Sequence, residues 1–419
     1  MSTIFRLKVV SFLQYFIWGS WLVTLASYLF NTLQFKGSDI GLVFSSLGLA
    51  SLFAPVVIGM VADKINNRKL VFITLHLLSA VTLILVAYST SVTMLFLVLL
   101  LNLMFYMPSI SMCNSILFEL LEQQKLESNK YFPKIRVFGT VGFIAAMWTI
   151  SLLKLETSHY QLFIASGASV VLAIFSLTLP AAKAIDKSEK EAVTTSNFNM
   201  KNILFVFQKH NVVVFLFFAM LLGSVLQITN TLGVPFLQDL AKNPEAEGSL
   251  FASFPTIFLS ISQFSEVCFI LVLPFLLKKI KIETILLFSM LAWILRFGLF
   301  AYGDFSTIGT FVLLLSMIVY GCAFDFFNIS GSLFLDKEIP LQYRSTAQGI
   351  FTTFVNGFGT YLGAMLSGWV LDLNTVNGVV DWHMFWIVFA CYTGSFTILY
   401  SIYMLLRKPS DSQGETVNH

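Results

Sequence analysis

Twelve stretches of mostly apolar residues, each about 20 residues or longer, follow one another through the chain. A helix needs about 20 such residues to cross a bilayer core, within a range of about 17–25 and more when tilted. No water satisfies the backbone there, so runs of this length must bond their own N–H and C=O groups as helices. The stretches span 8–33, 40–62, 70–90, 93–118, 133–154, 160–181, 211–238, 250–277, 283–302, 307–335, 345–371 and 382–406. The expected fold class is all-α, a polytopic membrane protein with 12 transmembrane helices. Only 11% of the 419 residues are charged, against about 25% in a soluble chain. The run after Arg6 and Lys8 has the outline of a signal peptide. It extends to about Phe30 and lacks a small-x-small cleavage site, so it reads as an uncleaved first span.

Charge in the connections sets the orientation. Of the 25 Lys and Arg, 20 fall on one side, within 6–8, 64–69, 125–134, 183–209, 278–281, 337–344 and 407–408. The other side has Lys36, Lys154 and Lys242, and Arg136 and Arg296 sit in or at the ends of spans. The basic side is expected to be cytoplasmic, with both termini there and an even number of spans. The one long polar connection falls after the sixth span. It divides the chain into an N-terminal six-helix bundle (1–181), a cytoplasmic linker (182–210), a C-terminal six-helix bundle (211–407) and a cytoplasmic tail (408–419). The turn after the second span reads Gly59, Asp63, Lys64, Arg68 and Lys69, or G-x3-D-K-x3-R-K. This resembles the loop-2/3 signature of the major facilitator superfamily and marks Gly59, Asp63, Lys64 and Arg68 as gating candidates. Asn66 and Asn67 stand where that family usually has a Gly, and Asn can also take a left-handed turn.

Acids inside the spans point to function. An ionisable group at membrane depth costs at least a few kcal/mol and by default marks a substrate or proton pathway. Asp325 and Asn328 lie on one helical face of the tenth span, flanked by Phe324 and Phe327, and Gln263 and Glu266 are i, i+3 in the eighth. Gln227 and Asn230 repeat that spacing in the seventh, while Arg136, Thr140 and Phe143 share a face of the fifth and Gln14, Trp18 and Trp21 a face of the first. Asn, Gln, Ser and Thr in spans also tie helices together, so any single amide fits a structural role equally well. His76 and Arg296 are expected to be satisfied within the bundle. The four cysteines, Cys113, Cys268, Cys322 and Cys391, all fall in apolar segments and read as small hydrophobes. No nucleophile–base pair or metal-ligand cluster is spelled out, which argues against an enzyme.

Amides, hydroxyls and aromatics with few fixed cations suit a neutral, hydroxyl-rich solute with a flat face. Carboxamides both donate and accept, and rings stack on a heterocycle. Desolvation favours the protonated form of an acid, so Glu266 and Asp325 can take up protons outside and release them inside. Whether Arg136 approaches either acid cannot be read from the residues. Asp325 is expected about 7–8 Å past the middle of its span at 1.5 Å per residue, toward the cytoplasm.

Six stretches carry a more specific resemblance: 11–21 (SFLQYFIWGSW), 132–143 (FPKIRVFGTVGF), 221–230 (LLGSVLQITN), 260–266 (SISQFSE), 292–304 (AWILRFGLFAYGD) and 320–332 (YGCAFDFFNISGS). In colinear order over nearly the whole chain, they resemble the bacterial nucleoside–proton symporters of the major facilitator superfamily. The resemblance implies two six-helix bundles around a central cavity, worked by alternating access. It implies substrate contacts from Arg136, Thr140, Phe143, Gln227, Asn230, Gln263, Glu266, Phe324 and Asp325, to which the shared face adds Asn328. Proton coupling is expected at Glu266 and Asp325. The family pattern can carry an acid in the seventh span where this chain has Val225, so that acid is not expected to be needed here.

The expected activity is import of purine and pyrimidine nucleosides with protons across a bacterial inner membrane. No cofactor beyond the proton gradient is expected, no nucleic acid partner, and a monomer in the lipid bilayer. A proton-coupled sugar symporter on the same fold, or a transporter-like receptor, would use similar residues.

Overall fold

The computed structural model describes residues 2–65, 67–180 and 200–406; the side chains of 55–65, 129, 200 and 201 are outside the described residues. Twelve helices carry the fold. They are α1 (Thr3–Gly19), α2 (Gly37–Ile65), α3 (Arg68–Tyr88), α4 (Val92–Gln123), α5 (Ser128–Leu152) and α6 (Tyr160–Ser176). Then come α7 (His210–Leu240), α8 (Ile261–Leu277), α9 (Ile282–Tyr302), α10 (Thr307–Glu338), α11 (Thr360–Leu373) and α12 (Trp382–Leu406). Among the described residues, nine segments are long and apolar enough to cross a membrane, and α6 is a shorter apolar helix.

The first, eighth and eleventh spans are interrupted, where the sequence reads as continuous runs. α1 stops at Gly19, and the chain resumes at Leu25–Ser27 and a π-helical turn, Tyr28–Thr32. The eighth span begins as two short helices, Leu250–Ser253 and Pro255–Leu259. Pro255 restricts the residue before it, and Phe254 accordingly leaves the helical region at φ −137°, ψ 65°. The eleventh span starts with Arg344–Thr352 and a π-helical stretch, Thr353–Gly359. Such stretches cluster at functional sites because they re-aim side chains without ending the helix. A small hairpin, Thr375–Val376 with Val379–Val380, joins α11 to α12. Its Asn377–Gly378 turn has φ of 51° and 79°, the primed turn that an Asn-Gly pair favours.

Two ends follow local rules. Ser306 caps α10, accepting from the Gly309 N–H at 3.1 Å. Of the two residues standing where a Gly is usual, Asn66 lies outside the described residues and Asn67 is not left-handed. At φ −140° it caps α3 instead, accepting from Leu70 N–H at 3.0 Å. A short helix, Met200–Gln208, precedes α7.

The helices form two bundles. In the first, α1 lies along α5 and α6, α3 along α4 and α6, and α2 along α4. In the second, α9 lies along α10 and α12, α8 along α10, and α7 along the π-helical start of α11. Between the bundles α2 runs against α11, and Gly41 and Gly48 sit on one face of α2 where it meets Ala364 and Tyr361. Small residues let membrane helices approach closely where no hydrophobic drive separates protein from lipid. α1 meets α5 in the same way. A side chain on Gly142 would collide with the Phe12 backbone, and one on Gly19 would stand 2.5 Å from the Phe143 carbonyl oxygen. Gly142→Leu is therefore expected to lower the stability of the detergent-solubilised protein by about 1–3 kcal/mol, the range for overpacking. Thermal unfolding read by ligand-independent fluorescence checks it, and an unchanged midpoint would contradict this packing.

Candidate functional site

Asp325 sits on α10 with 3% of its surface exposed, and its Oδ2 has no hydrogen-bond partner among the described residues. α10 runs to Glu338, further than the apolar run suggests. Its midpoint therefore falls between Cys322 and Ala323, and Asp325 stands only about 4 Å beyond it at 1.5 Å per residue. The expected offset of about 7–8 Å is too large: the apolar run 307–335 is centred on residue 321, about 6 Å before Asp325, and the three further residues of α10 remove about 2 Å more.

Three ionisable side chains neighbour one another across the cleft. Glu266, half-buried on α8, interacts electrostatically with Asp325 in its own bundle and with Arg136 of the other bundle. Arg136, half-buried on α5, lays its guanidinium over the Tyr15 ring of α1 at 4.0 Å. Gly139, one turn from Arg136, leaves room for this stack, since a Cβ there would stand 2.6 Å from the Tyr15 ring and 2.7 Å from the Arg136 guanidinium. Thr140 is half-buried on the same face and Phe143 is buried.

The second bundle supplies aromatics and amides. Tyr320 and Phe324 stack on α10 with ring centroids 5.6 Å apart and planes 12° from parallel. Gln263 and Tyr320 face the same small cavity, which Asn230 and Arg296 also line and which Val23 and Met147 close from the first bundle. Two candidates are held otherwise. Gln227 Nε2 donates to Thr231 Oγ1 at 2.9 Å, and Asn328 Nδ2 donates to the Phe324 carbonyl oxygen at 3.0 Å, so both amides are engaged along their own helices. Val225 is fully buried.

His76 is satisfied within its bundle, as expected. His76 bonds Ser169 Oγ at 3.2 Å and Gln14 Oε1 at 2.9 Å, and Gln14 Nε2 donates to Ser109 Oγ at 2.9 Å. The i, i+4, i+7 face chosen on α1 is thus one residue off, because Gln14 turns into its bundle and Tyr15 reaches the cleft. Periodicity alone cannot tell two adjacent faces apart. Of the gating candidates, Arg68 pairs with Glu119 at 3.9 Å. The side chains of Gly59, Asp63 and Lys64 are outside the described residues.

Hydrogen bonds between the bundles, among the described residues, all lie on the face opposite the chain termini. The Asp372 carboxylate receives the Gly37 and Ser38 N–H groups at 2.6 and 2.9 Å, capping α2 from the other bundle. Trp148 Nε1 donates to Ser260 Oγ at 2.9 Å, Thr256 Oγ1 to Glu156 Oε1 at 3.3 Å, and Asn31 Nδ2 to Gln238 Oε1 at 3.3 Å. Lys154 donates to the Ser253 carbonyl oxygen and lies over the Phe254 ring at 4.0 Å. The structure is latched on that face. Tyr15, Tyr320 and Asp372 were not singled out from the sequence. An Asp near a span end carries no signal until its partner helix is known.

Comparison with known proteins adds a family and a fold. A family model described as nucleoside H+ symporter matches residues 1–411. The chain is similar to the xanthosine permease of Escherichia coli (strain K12), at 52% identity over 393 residues, 94% of this chain and 93% of that protein. It is 43% identical to the nucleoside permease NupG of the same organism over the whole of both chains. The crystal structure of the nucleoside transporter NupG superimposes with a TM-score of 0.91 at 44% identity, over 97% of this chain and 100% of that one.

Proposed function

The chain belongs to the nucleoside H+ symporter family, and on that premise we propose that it imports nucleosides with protons by alternating access. The observation that carries this is that Arg136 on a helix of one bundle and Glu266 and Asp325 on helices of the other neighbour one another within the membrane spans. Glu266 and Asp325 are the proton-carrying pair of this reading. A proton enters while the cavity faces outward and leaves after the bundles rock. Arg136, on the other bundle, is the cation whose distance from Glu266 changes as the bundles rock. Asn230 and Gln263 supply the donors and acceptors for ribose and base, and Phe143, Tyr320 and Phe324 supply flat apolar surface. The bundles, 1–181 and 211–407, move as units about the linker 182–210. The charge bias supports a bacterial cytoplasmic membrane location with both termini inside and the latched face outside, and the protein acts as a monomer.

Purified protein in liposomes, with an imposed inward proton gradient and a panel of purine and pyrimidine nucleosides, tests this. Accumulation of nucleosides that collapses with the gradient is expected. Competition by sugars instead of nucleosides would overturn the substrate, and binding without movement would overturn the transport.

Asp372 gives a separate test of the latch. Its carboxylate meets two helix N-terminal N–H groups, where a negative charge is worth about 0.3–1 kcal/mol and up to ~2 when partly buried. Asp372→Ala is expected to shift the protein toward the state open on that face. Spin labels at Ser91 and Thr307, in a background without the four native cysteines, should show a longer distance population. An unaltered distribution would remove Asp372 from the latch.

A further inference from the structure

Arg296, on α9, is 1% exposed and is the only Lys or Arg buried among the described residues. None of the ion pairs among those residues includes it. Its partners are neutral. Nη1 donates to the Ser316 carbonyl oxygen at 2.8 Å and more weakly to Ser262 Oγ at 3.4 Å. The guanidinium lies over the rings of Tyr320 and Phe300 at 4.5 and 4.8 Å. Nε is buried with no hydrogen-bond partner among the described residues. A buried cation without a counter-charge is expensive, and membrane spans that keep one usually place it on a substrate pathway.

The sequence alone suggests that Arg296 is satisfied inside its bundle. Its position in the structure says more. It lines the cavity at the bundle interface with Thr229, Asn230, Ser262, Gln263 and Tyr320. Free space there is about 10 Å³, room for one water or one carbonyl oxygen and too little for a ring. The stacked rings of Tyr320 and Phe324 continue from this cavity along α10 toward Asp325. The Tyr320 ring is itself covered, by the Arg296 guanidinium at 4.5 Å and by Phe324, so a planar heterocycle would lie against Phe324 with its edge toward the cavity.

Resting on the nucleoside-transport reading, we infer that Arg296 is a specificity-determining residue that donates to a carbonyl oxygen on the edge of the base. A guanidinium has five donors and no acceptor. It accepts the oxo edge of a uracil or hypoxanthine base and opposes the amino group that cytosine or adenine carries at the same position. Asn230 and Gln263 can rotate to suit either edge, so the discrimination rests on the group that cannot.

The experiment is uptake of labelled uridine into proteoliposomes, competed by uridine, inosine, cytidine and adenosine, for the wild type, Arg296→Lys and Arg296→Gln. Arg296→Gln is expected to weaken uridine and inosine by about tenfold or more, the size of a hydrogen bond to a charged donor. Cytidine and adenosine should change far less, and Arg296→Lys should fall between. A uniform loss for all four would mean a packing role and would overturn the inference. If the variants do not fold, the wild type still decides. The uridine analogue with hydrogen in place of the 4-oxygen should compete about tenfold less well than uridine. Equal competition would leave the cavity to a water and overturn the inference. Uridine monophosphate competing more strongly than uridine would also overturn it, assigning the cation to phosphate. A wild type that accumulates no nucleoside fails the transport reading itself, before any variant is compared.

Discussion

Asp325→Asn is expected to abolish uphill nucleoside accumulation while leaving exchange across the membrane in place. The carboxyl is buried, its Oδ2 has no partner among the described residues, and it stands beside Glu266. Two acids close together at membrane depth do not both carry charge readily, so one of them must exchange protons as the cavity changes face. Asn has nearly the same shape and cannot carry a proton. A gradient of one pH unit coupled to one proton sustains about a tenfold concentration ratio. The variant should fall to a ratio near one. Proteoliposomes loaded with unlabelled nucleoside should still exchange it for label. Retained accumulation would remove Asp325 from coupling, and loss of exchange as well would make it a binding residue. Glu266→Gln in the same two assays separates the acids. If Glu266 alone titrates, the two variants exchange phenotypes.

Arg136 is expected to be nearly as sensitive. Arg136→Ala should reduce uptake to background, because Glu266 loses the one cation that reaches it from the first bundle. Arg136→Lys keeps the charge and is still expected to lose affinity. A planar guanidinium stacks flat on Tyr15 at 4.0 Å, and a lysine ammonium on a flexible stem does not reproduce that stack. Loss of about 1 kcal/mol of cation–π attraction corresponds to about fivefold in apparent affinity. Tyr15→Leu should match Arg136→Lys, and the double variant should be little worse than either single one. Additive losses would show that the stack does not hold Arg136 in place. The readout is the half-saturating uridine concentration for uptake and, independently, for exchange.

The apolar runs gave the helices because a bilayer leaves the backbone no alternative. The alternation of basic and neutral connections gave the expected orientation, and the one long polar connection after the sixth span gave the two halves. Breaks within spans were less legible. Pro255 is visible in the sequence, yet the π-helical turns Tyr28–Thr32 and Thr353–Gly359 depend on how neighbouring helices meet them. The Asn377–Gly378 turn is legible in the sequence as an Asn-Gly pair between Val-containing dipeptides. Glu266 and Asp325 could be found because acids in spans are rare. Among the amides, spacing did not separate those lining the cavity, Asn230 and Gln263, from those bonded along their own helix, Gln227 and Asn328.

What the sequence determined by itself is the class of molecule, the spans and the ionisable groups that a membrane protein would not keep without use. Each follows from a local rule: hydrocarbon thickness, backbone satisfaction, or the cost of a buried charge. The tertiary structure alone decided which of those groups meet. It brought Arg136 of the first bundle to Glu266 of the second, set Tyr15 and not Gln14 in the cleft, capped α2 with Asp372 from the other bundle, and left Arg296 on the cavity without an acid. These are contacts between residues more than a hundred positions apart or on adjacent helix faces. Their formation depends on the angle and rotation at which helices pack, and that is fixed by the summed fit of many side chains and close-approaching glycines, not by the spacing within any one span.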